Sequence, residues 1–167
     1  MTHFTGVTIL NDGNGNTSIY GYVFDRCSKL EAISLDNVKY YSAGAGSGNG
    51  YSNFSGTALT RIELPNIITL HNYIGVGINA DFILGASLSS VTQYTFRNMN
   101  NAFRYSNYVI LATTPPELAG STSFSNSNMG GYIYVPDEVY DEYTINNATW
   151  SAIKSKIKKL SEWDGAL

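Results

Sequence analysis

A single cysteine, Cys27, is present in the chain, so no internal disulfide forms. Nucleophilic chemistry would need its thiolate beside a base, and the sequence points to no such base. One Cys with His3 and His71 also falls short of a zinc ligand set. His3 lies in a terminal segment that we expect to fray, and the repeat pattern described below predicts that Cys27 fills a small buried position in a turn.

One histidine and two glycine-rich segments are further candidates for a catalytic or binding role. His71 has no evident acid or base partner, which favours a surface turn. Residues 12–16 (Asp-Gly-Asn-Gly-Asn) alternate like a calcium loop, but Thr17 replaces its glycine and Val23 its bidentate acid. Residues 44–50 alternate glycine with small residues but lack a phosphate-loop continuation. We predict a tight turn at residues 12–16 and a flexible exposed loop at residues 44–50, which the tyrosines around it could make a contact loop.

Paired carboxylates would be needed for glycoside hydrolysis. Glu31, Glu63 and Asp81 lie on or near predicted strands, but their spacing predicts no pair. We therefore predict that the protein is not an enzyme and that it takes no cofactor and no metal. Four lysines close to the end of the sequence fit the solvated face of a helix better than an anion-binding site; they are Lys154, Lys156, Lys158 and Lys159.

Composition excludes several classes of protein. The net charge of −3 argues against nucleic-acid binding, which needs clustered Lys and Arg. Charged residues make up 14% of the 167 residues, whereas Asn, Ser, Gly and Tyr together account for 64, which is typical of turn-rich β proteins and of binding surfaces. No apolar run approaches a membrane span, so we predict no membrane insertion, and residues 1–4 show no secretory signal.

Internal repeats give the main structural signal. Residues 30–38 and 59–67 share the apolar pattern L-x-x-I-x-L at an offset of 29 residues. Similar short apolar pairs begin at other points along the chain, at spacings near those of leucine-rich repeats; they begin at Val7, Phe82, Val109 and Ile133. Such strands bury one face only when they stack on their neighbours, which predicts a solenoid of short parallel strands.

Aromatic side chains form a second periodic feature of the sequence. The last thirty residues, in contrast, do not follow the repeats. Residues 20–27 and 91–98 share the pattern Y-x-F-x-[RN], which predicts a ring inside each coil. Residues 137–143 predict a short helix after Pro136, with acids in its first turn. Residues 149–160 carry Trp150, Ile153, Ile157 and Leu160 at helical spacing and predict a second helix.

Together these segments resemble a known family. Residues 24–35 resemble the A-F-x-x-C-s-x-L-x-x-I-x-L unit of BspA-like leucine-rich repeats, although residues 55–58 lack the cysteine in the second copy. The T-P-P-x-L segment at residues 114–118 and the I-Y-V-P segment at residues 133–136 are similar to that family's terminal cap. The resemblance implies a mainly β, right-handed solenoid with some α structure, and a role in adhesion or host recognition on a microbial cell surface or in a phage tail.

The resulting architecture is one compact domain. Residues 1–136 are predicted to form about five to six irregular coils of leucine-rich-repeat solenoid, and residues 137–167 a helical C-terminal cap. If Ile33 and Leu35 point inward, alternation along each strand predicts which side chains face outward. On this reasoning the partner-binding residues, all on one sheet face, are Arg61, Glu63, Tyr108, Ile110, Tyr132 and Tyr134.

The predicted function is non-enzymatic recognition of a protein or glycan through this face, because aromatic and Arg side chains dominate binding energy. Alternatives remain open at this stage. The face could pack under residues 121–131 of the same chain. It could instead pack against another copy of the chain, which would make the protein a structural assembly subunit or a homo-oligomer.

Overall fold

The computed structural model describes residues 3–4, 18–20, 24, 26–42, 54, 56–71, 78–92, 106–119 and 131–167. Within them the strands are β1 His3–Phe4, β2 Ser18–Tyr20, β3 Ala32–Ile33, β4 Tyr40–Ser42, β5 Arg61–Leu64, β6 Thr69–His71, β7 Asp81–Leu84, β8 Ser90–Val91, β9 Tyr108–Ile110, β10 Glu117–Leu118, β11 Ile133–Val135 and β12 Ile157–Lys159. Among the described residues the helical segments are all short, and the one α-helix, α1, spans Ala148–Ser151.

The strands form two five-stranded sheets and one two-stranded sheet. Sheet I has the order β10-β8-β6-β4-β2, and sheet II has the order β12-β11-β9-β7-β5. From β4 to β11 the chain visits sheet I and sheet II in turn, and every strand pair is parallel. The prediction of short parallel strands with few helices is confirmed, and sheet I is an element that the sequence pattern did not reveal.

The register of sheet II aligns the apolar side chains of successive strands. Ile62 pairs with Phe82, Phe82 with Tyr108, Tyr108 with Ile133 and Ile133 with Ile157. All five side chains are buried in the main core, which sheet I contributes to through Tyr41, Leu70 and Val91. The core therefore lies between the inner faces of the two sheets.

The first repeat departs from the ladder of sheet II. β3 pairs with β1, so that Phe4 aligns with Ile33, and no ladder joins β3 to β5 although both strands are described. The first described strand is His3–Phe4, and the predicted pair at Val7 lies outside the described residues. His3 belongs to a paired strand and not to a frayed end.

Residues 137–167 form a mixed segment rather than a helical cap of two helices. After a 3-10 turn at Asp137–Val139 and a π-helical turn at Glu142–Asn146 comes α1, which ends at Ser151. A 3-10 turn follows at Lys154–Lys156, and the predicted second helix is wrong from Ile157 onward, because Ile157–Lys159 is a strand that pairs with β11. An open strand edge offers Ile157 both hydrogen bonds and burial, which outweighs the helical spacing of its apolar neighbours.

Two buried polar groups in this segment are satisfied by the chain ahead of it. The Tyr143 hydroxyl donates to the carbonyl oxygen of Ala112 at 2.8 Å. The Trp150 indole nitrogen donates to the carbonyl oxygen of Pro116, also at 2.8 Å. Because both rings are fully buried, these bonds fix the segment to the strands that precede it.

The aromatic pattern and the cysteine have different outcomes. Phe24 is buried and stacks on Phe54 with ring centroids 5.4 Å apart, and Tyr41 stacks on the other side of Phe54 at 6.0 Å. Cys27, in contrast, is exposed, so the prediction of a buried turn position for it is wrong. The turn carries its side chain outward, while Phe24 and Leu30 on either side are buried.

Gly85 lies where two successive turns of the chain approach each other closely. Its amide donates to the carbonyl oxygen of Leu64 at 3.0 Å, and a β-carbon at this position would collide with the Pro65 carbonyl group. We expect Gly85→Ala to lower the free energy of unfolding by about 3 kcal/mol, the upper part of the usual range for overpacking. Urea denaturation measures this, with the exposed Ser87→Ala as the matched control; equal stability of both variants would contradict the close approach.

Two buried tyrosines make stability fall at alkaline pH. Burial raises the pKa of Tyr108 and of Tyr143 well above the ordinary value of 10.0. Because the folded pKa is raised, this contribution is complete below about pH 10 and is lost as the pH rises further. Tyr108→Phe and Tyr143→Phe should each reduce the slope of unfolding free energy against pH, above pH 10, by up to about 1.4 kcal/mol per pH unit. An unchanged slope in urea titrations would contradict the assignment.

Candidate functional site

The outer face of sheet II carries the side chains that alternate with the core residues. In β5, Ile62 and Leu64 are buried, and Arg61 and Glu63 point outward. The register then places Ile83 beside Glu63 and Val109 beside Ile83. Tyr134 continues this row because it pairs with Val109.

Two of the predicted partner-binding residues do not belong to this face. Tyr108 and Ile110 are buried in the main core, where the Tyr108 ring stacks on Phe82 with centroids 5.3 Å apart. The prediction that they point outward is wrong by one residue, and Val109 takes the outer position instead. β9 is apolar at every position, so its sequence shows no alternation that would reveal which face is buried.

Tyr134 and Tyr132 are on the outer face, but the chain itself covers them. Ile83, Val109, Tyr134 and Trp163 form a second apolar cluster, with Tyr132 at its border. The Trp163 and Tyr134 ring centroids are 6.4 Å apart, and Tyr134 is 6% exposed. Burial first, and then the nearby carboxylate of Asp164, raises the pKa of the Tyr134 phenol. Residues 160–163 therefore occupy the half of the face predicted to hold a partner.

Lysines border the covered half. The ammonium group of Lys158 lies 4.0 Å from the centre of the Tyr132 ring, and that of Lys156 lies 5.6 Å from it. Lys159 lies 5.6 Å from the centre of the Tyr140 ring. Lys158 and Lys159 lie on β12, the edge strand of sheet II, rather than on a helix face as predicted. Charge on an edge strand discourages further strand pairing there.

A polar chain links the beginnings of β7, β9 and β11. The Asp81 carboxylate accepts from the backbone and side-chain nitrogens of Asn107, at 3.2 and 3.0 Å. The Asn107 side-chain oxygen in turn accepts from the Tyr132 amide at 3.1 Å. Asp81, one of the three candidate carboxylates, therefore holds neighbouring strands together.

The β5 end of the face remains accessible. The Arg61 Nε and Glu63 Oε1 atoms are 2.6 Å apart, and the side chains are 34% and 55% exposed. The guanidinium also donates to the carbonyl oxygen of Ala166, so Arg61 contacts residues 164–167 where they cross the face.

A cleft of about 410 Å³ separates β5 from β3. The segments on its two sides are joined at both ends, where the Ala58 amide donates to the Leu30 carbonyl at 3.0 Å and the Asn66 side chain donates to the Asp36 carbonyl at 2.7 Å. Between those bonds the strands are not laddered, and β5 is an edge strand of sheet II. Polar side chains line much of the opening; they are Glu31, Ser34, Asp36, Thr60, Arg61 and Glu63.

The cleft is suited to a ligand that donates hydrogen bonds. Glu31, Asp36 and Glu63 supply carboxylates, whereas Arg61, the one cation among the described lining residues, is already paired with Glu63. Ser34 donates to the Asp36 carboxylate at 2.8 Å, which directs that carboxylate within the cleft wall. Carboxylates bind hydroxyl and cationic donors through strong hydrogen bonds.

Sequence reasoning identified Arg61 and Glu63 but missed their companions. Ser34 and Asp36 flank the buried Leu35, and this alternation was the signal available in the sequence. Trp163 was missed altogether. Its only signal in the sequence was the glycine two residues later. A β-carbon on Gly165 would overlap the indole ring of Trp163.

Several other candidate residues lie partly or wholly beyond what can be described. Residues 12–16, 44–50 and 121–130 are outside the described part of the chain, as is the side chain of His71, whose backbone belongs to β6. Among the residues that the structure covers, no three His, Cys, Asp or Glu side chains are grouped as metal ligands.

Neither a family model nor a curated protein matches this sequence. Within the described ranges, none of the helices has the length and apolar character needed to cross a membrane.

The covering of Tyr134 leads to a prediction about the stability of two variants. Because Tyr134 is buried against Trp163 and Val109, Tyr134→Ala should lower the free energy of unfolding by about 3 kcal/mol. Glu63→Ala, on the accessible part of the same face, should change it by less than about 0.5 kcal/mol. Thermal and urea unfolding check both values. Similar small losses in the two variants would contradict the covering of Tyr134.

Proposed function

We propose that the protein is a non-enzymatic recognition module that binds a protein or glycan in the cleft between β3 and β5. The observation that carries this proposal is the open, carboxylate-lined cleft in a structure whose later coils are joined by continuous ladders. The ligand is expected to present hydroxyl or cationic donors to Glu31, Asp36 and Glu63. The edge of β5 adds backbone hydrogen-bonding groups for an extended ligand.

The proposed architecture is a right-handed BspA-like leucine-rich-repeat solenoid. The alternation of the chain between two parallel sheets supports it, as does the offset of 29 residues that separates Phe4 from Ile33 and Ile33 from Ile62. The resemblance of residues 24–35, 114–118 and 133–136 to this family supports a setting in adhesion or host recognition, on a microbial surface or in a phage tail. Solenoids of this kind bind partners along a continuous sheet face.

The alternative is an assembly subunit whose sheet face is an oligomer contact. The covering of Tyr134 by Trp163 weighs against it, because the apolar half of the face is already buried within one chain. The accessible part of the face around Arg61 and Glu63 is charged, whereas the interfaces of stable homodimers are more apolar than the rest of the surface. Solution mass at micromolar concentration separates the two functions, since an assembly subunit should not remain monomeric.

The cleft is tested by filling it. A glycan array and a cell-surface binding screen first identify a ligand for the wild-type chain. Ala32 lines the cleft and is exposed, so Ala32→Trp should block it and weaken binding about tenfold or more without loss of stability. Ala152→Trp, at an exposed position in residues 137–167 and outside the cleft lining, is the matched control.

Charge provides the second arm of this test. Glu63→Gln should weaken binding of the same ligand and reduce the salt dependence of its affinity, because the substitution removes a carboxylate from the cleft wall. Wild-type affinity in both Ala32→Trp and Glu63→Gln would place the ligand elsewhere and overturn the cleft as the site.

A further inference from the structure

Residues 163–167 cross the outer face of sheet II as a strap. Trp163 packs on Tyr134, beside Ile83 and Val109. The backbone at Gly165 lies directly against the Trp163 indole, so that any side chain at this position would overlap the ring. Glycine is therefore required for the strap to turn back across the face.

The far end of the strap reaches β5 and its neighbours. The carbonyl oxygen of Ala166 accepts a hydrogen bond from the Arg61 Nη1 atom. Leu167 then borders a mainly apolar groove of about 260 Å³, which is also lined by Pro65, Ile83 and Leu111. The strap thus places one peptide carbonyl at a guanidinium and one aliphatic side chain at a groove.

The groove is only partly filled, and the strap is weakly held. Leu167 is 67% exposed although it borders the groove, and residues 164–166 are exposed as well. The Trp163 indole nitrogen is buried with no hydrogen-bond partner among the described residues. Leaving such a donor unsatisfied is unfavourable, which offsets part of what the apolar contacts of Trp163 contribute.

We propose that this groove is a second binding site, which takes the aliphatic side chain of an extended peptide segment from a protein partner. Arg61 donates to the carbonyl group of that segment, and residues 164–167 compete for the same place. The groove accepts one side chain rather than a small-molecule ligand, because its volume is below the range typical of such ligands. This site goes beyond the proposed cleft, and either can fail without the other.

The contacts of the strap define the partner's chemistry. A backbone carbonyl must face Arg61, and a Leu-like side chain must follow it to reach Ile83 and Leu111. The strap has the advantage of being tethered, since an intramolecular ligand acts at a high effective concentration. A partner segment therefore binds well only when it displaces the strap or when the strap is released.

A labelled peptide with the sequence of residues 162–167, Glu-Trp-Asp-Gly-Ala-Leu, is the probe, and fluorescence anisotropy is the measurement. The full chain with Gly165→Val, whose strap cannot lie on the indole, should bind this probe about tenfold or more tightly than the wild-type chain does. A probe with its last residue changed from Leu to Ser should lose that gain.

Two further variants keep the test decisive. Leu167→Ser leaves Trp163 in place while removing the competing side chain, and it should also bind the probe more tightly than wild type. Ala86 is exposed and lines the groove, so adding Ala86→Trp to either variant should abolish probe binding. The proposal is overturned if neither strap variant binds the probe better than wild type, or if Ala86→Trp leaves binding unchanged. Binding of a ligand at the cleft is scored separately with Ala32→Trp.

Discussion

The register of the parallel ladder in sheet II decides which side chain of each strand is buried. Ile62, Phe82, Tyr108, Ile133 and Ile157 occupy one inner row, so Glu63, Ile83, Val109 and Tyr134 must occupy the outer row. A shift of one residue in any strand would exchange its core and surface side chains. The Asp81–Asn107–Tyr132 hydrogen bonds hold three strands in this register at their beginnings.

The outer row is divided into two chemical zones by residues 157–167. Where Val109 and Tyr134 are apolar, Trp163 covers them and makes a second small core. Where Arg61 and Glu63 are charged, the face stays accessible and borders the cleft. Exposed apolar patches tend to associate, so a chain that covers one with its own tryptophan limits contact with other copies of itself.

Sequence patterning predicted the strands that alternate and failed where alternation is absent. The paired pattern at residues 30–38 and 59–67 correctly gave the inward Leu35, Ile62 and Leu64. At β9 the run Tyr-Val-Ile has no polar residue to mark a face, so only the ladder to Phe82 decides which side is buried.

Sheet I and β12 were missed for two different physical reasons. Sheet I consists of strands of two or three residues, such as Thr69–His71 and Ser90–Val91, whose length is too short for a periodic signal. For β12, the spacing of Ile153 and Ile157 satisfies a helix in sequence, but the free edge of β11 supplies a ladder that an isolated helix cannot match. Tertiary pairing determined both elements, and a local pattern cannot report it.

Arg61 connects the two proposed sites through one rigid group. Its Nε faces Glu63 at the margin of the cleft, and its Nη1 holds the Ala166 carbonyl of the strap. A guanidinium is planar with its donors in a fixed fork, so one bond cannot be redirected without moving the others. In the proposed scheme, a cleft ligand that draws Glu63 away from Arg61 also alters the hold on the strap. Linkage is reciprocal. In this scheme, the factor by which a cleft ligand weakens the binding of the strap is also the factor by which displacement of the strap changes the affinity of the cleft for its ligand.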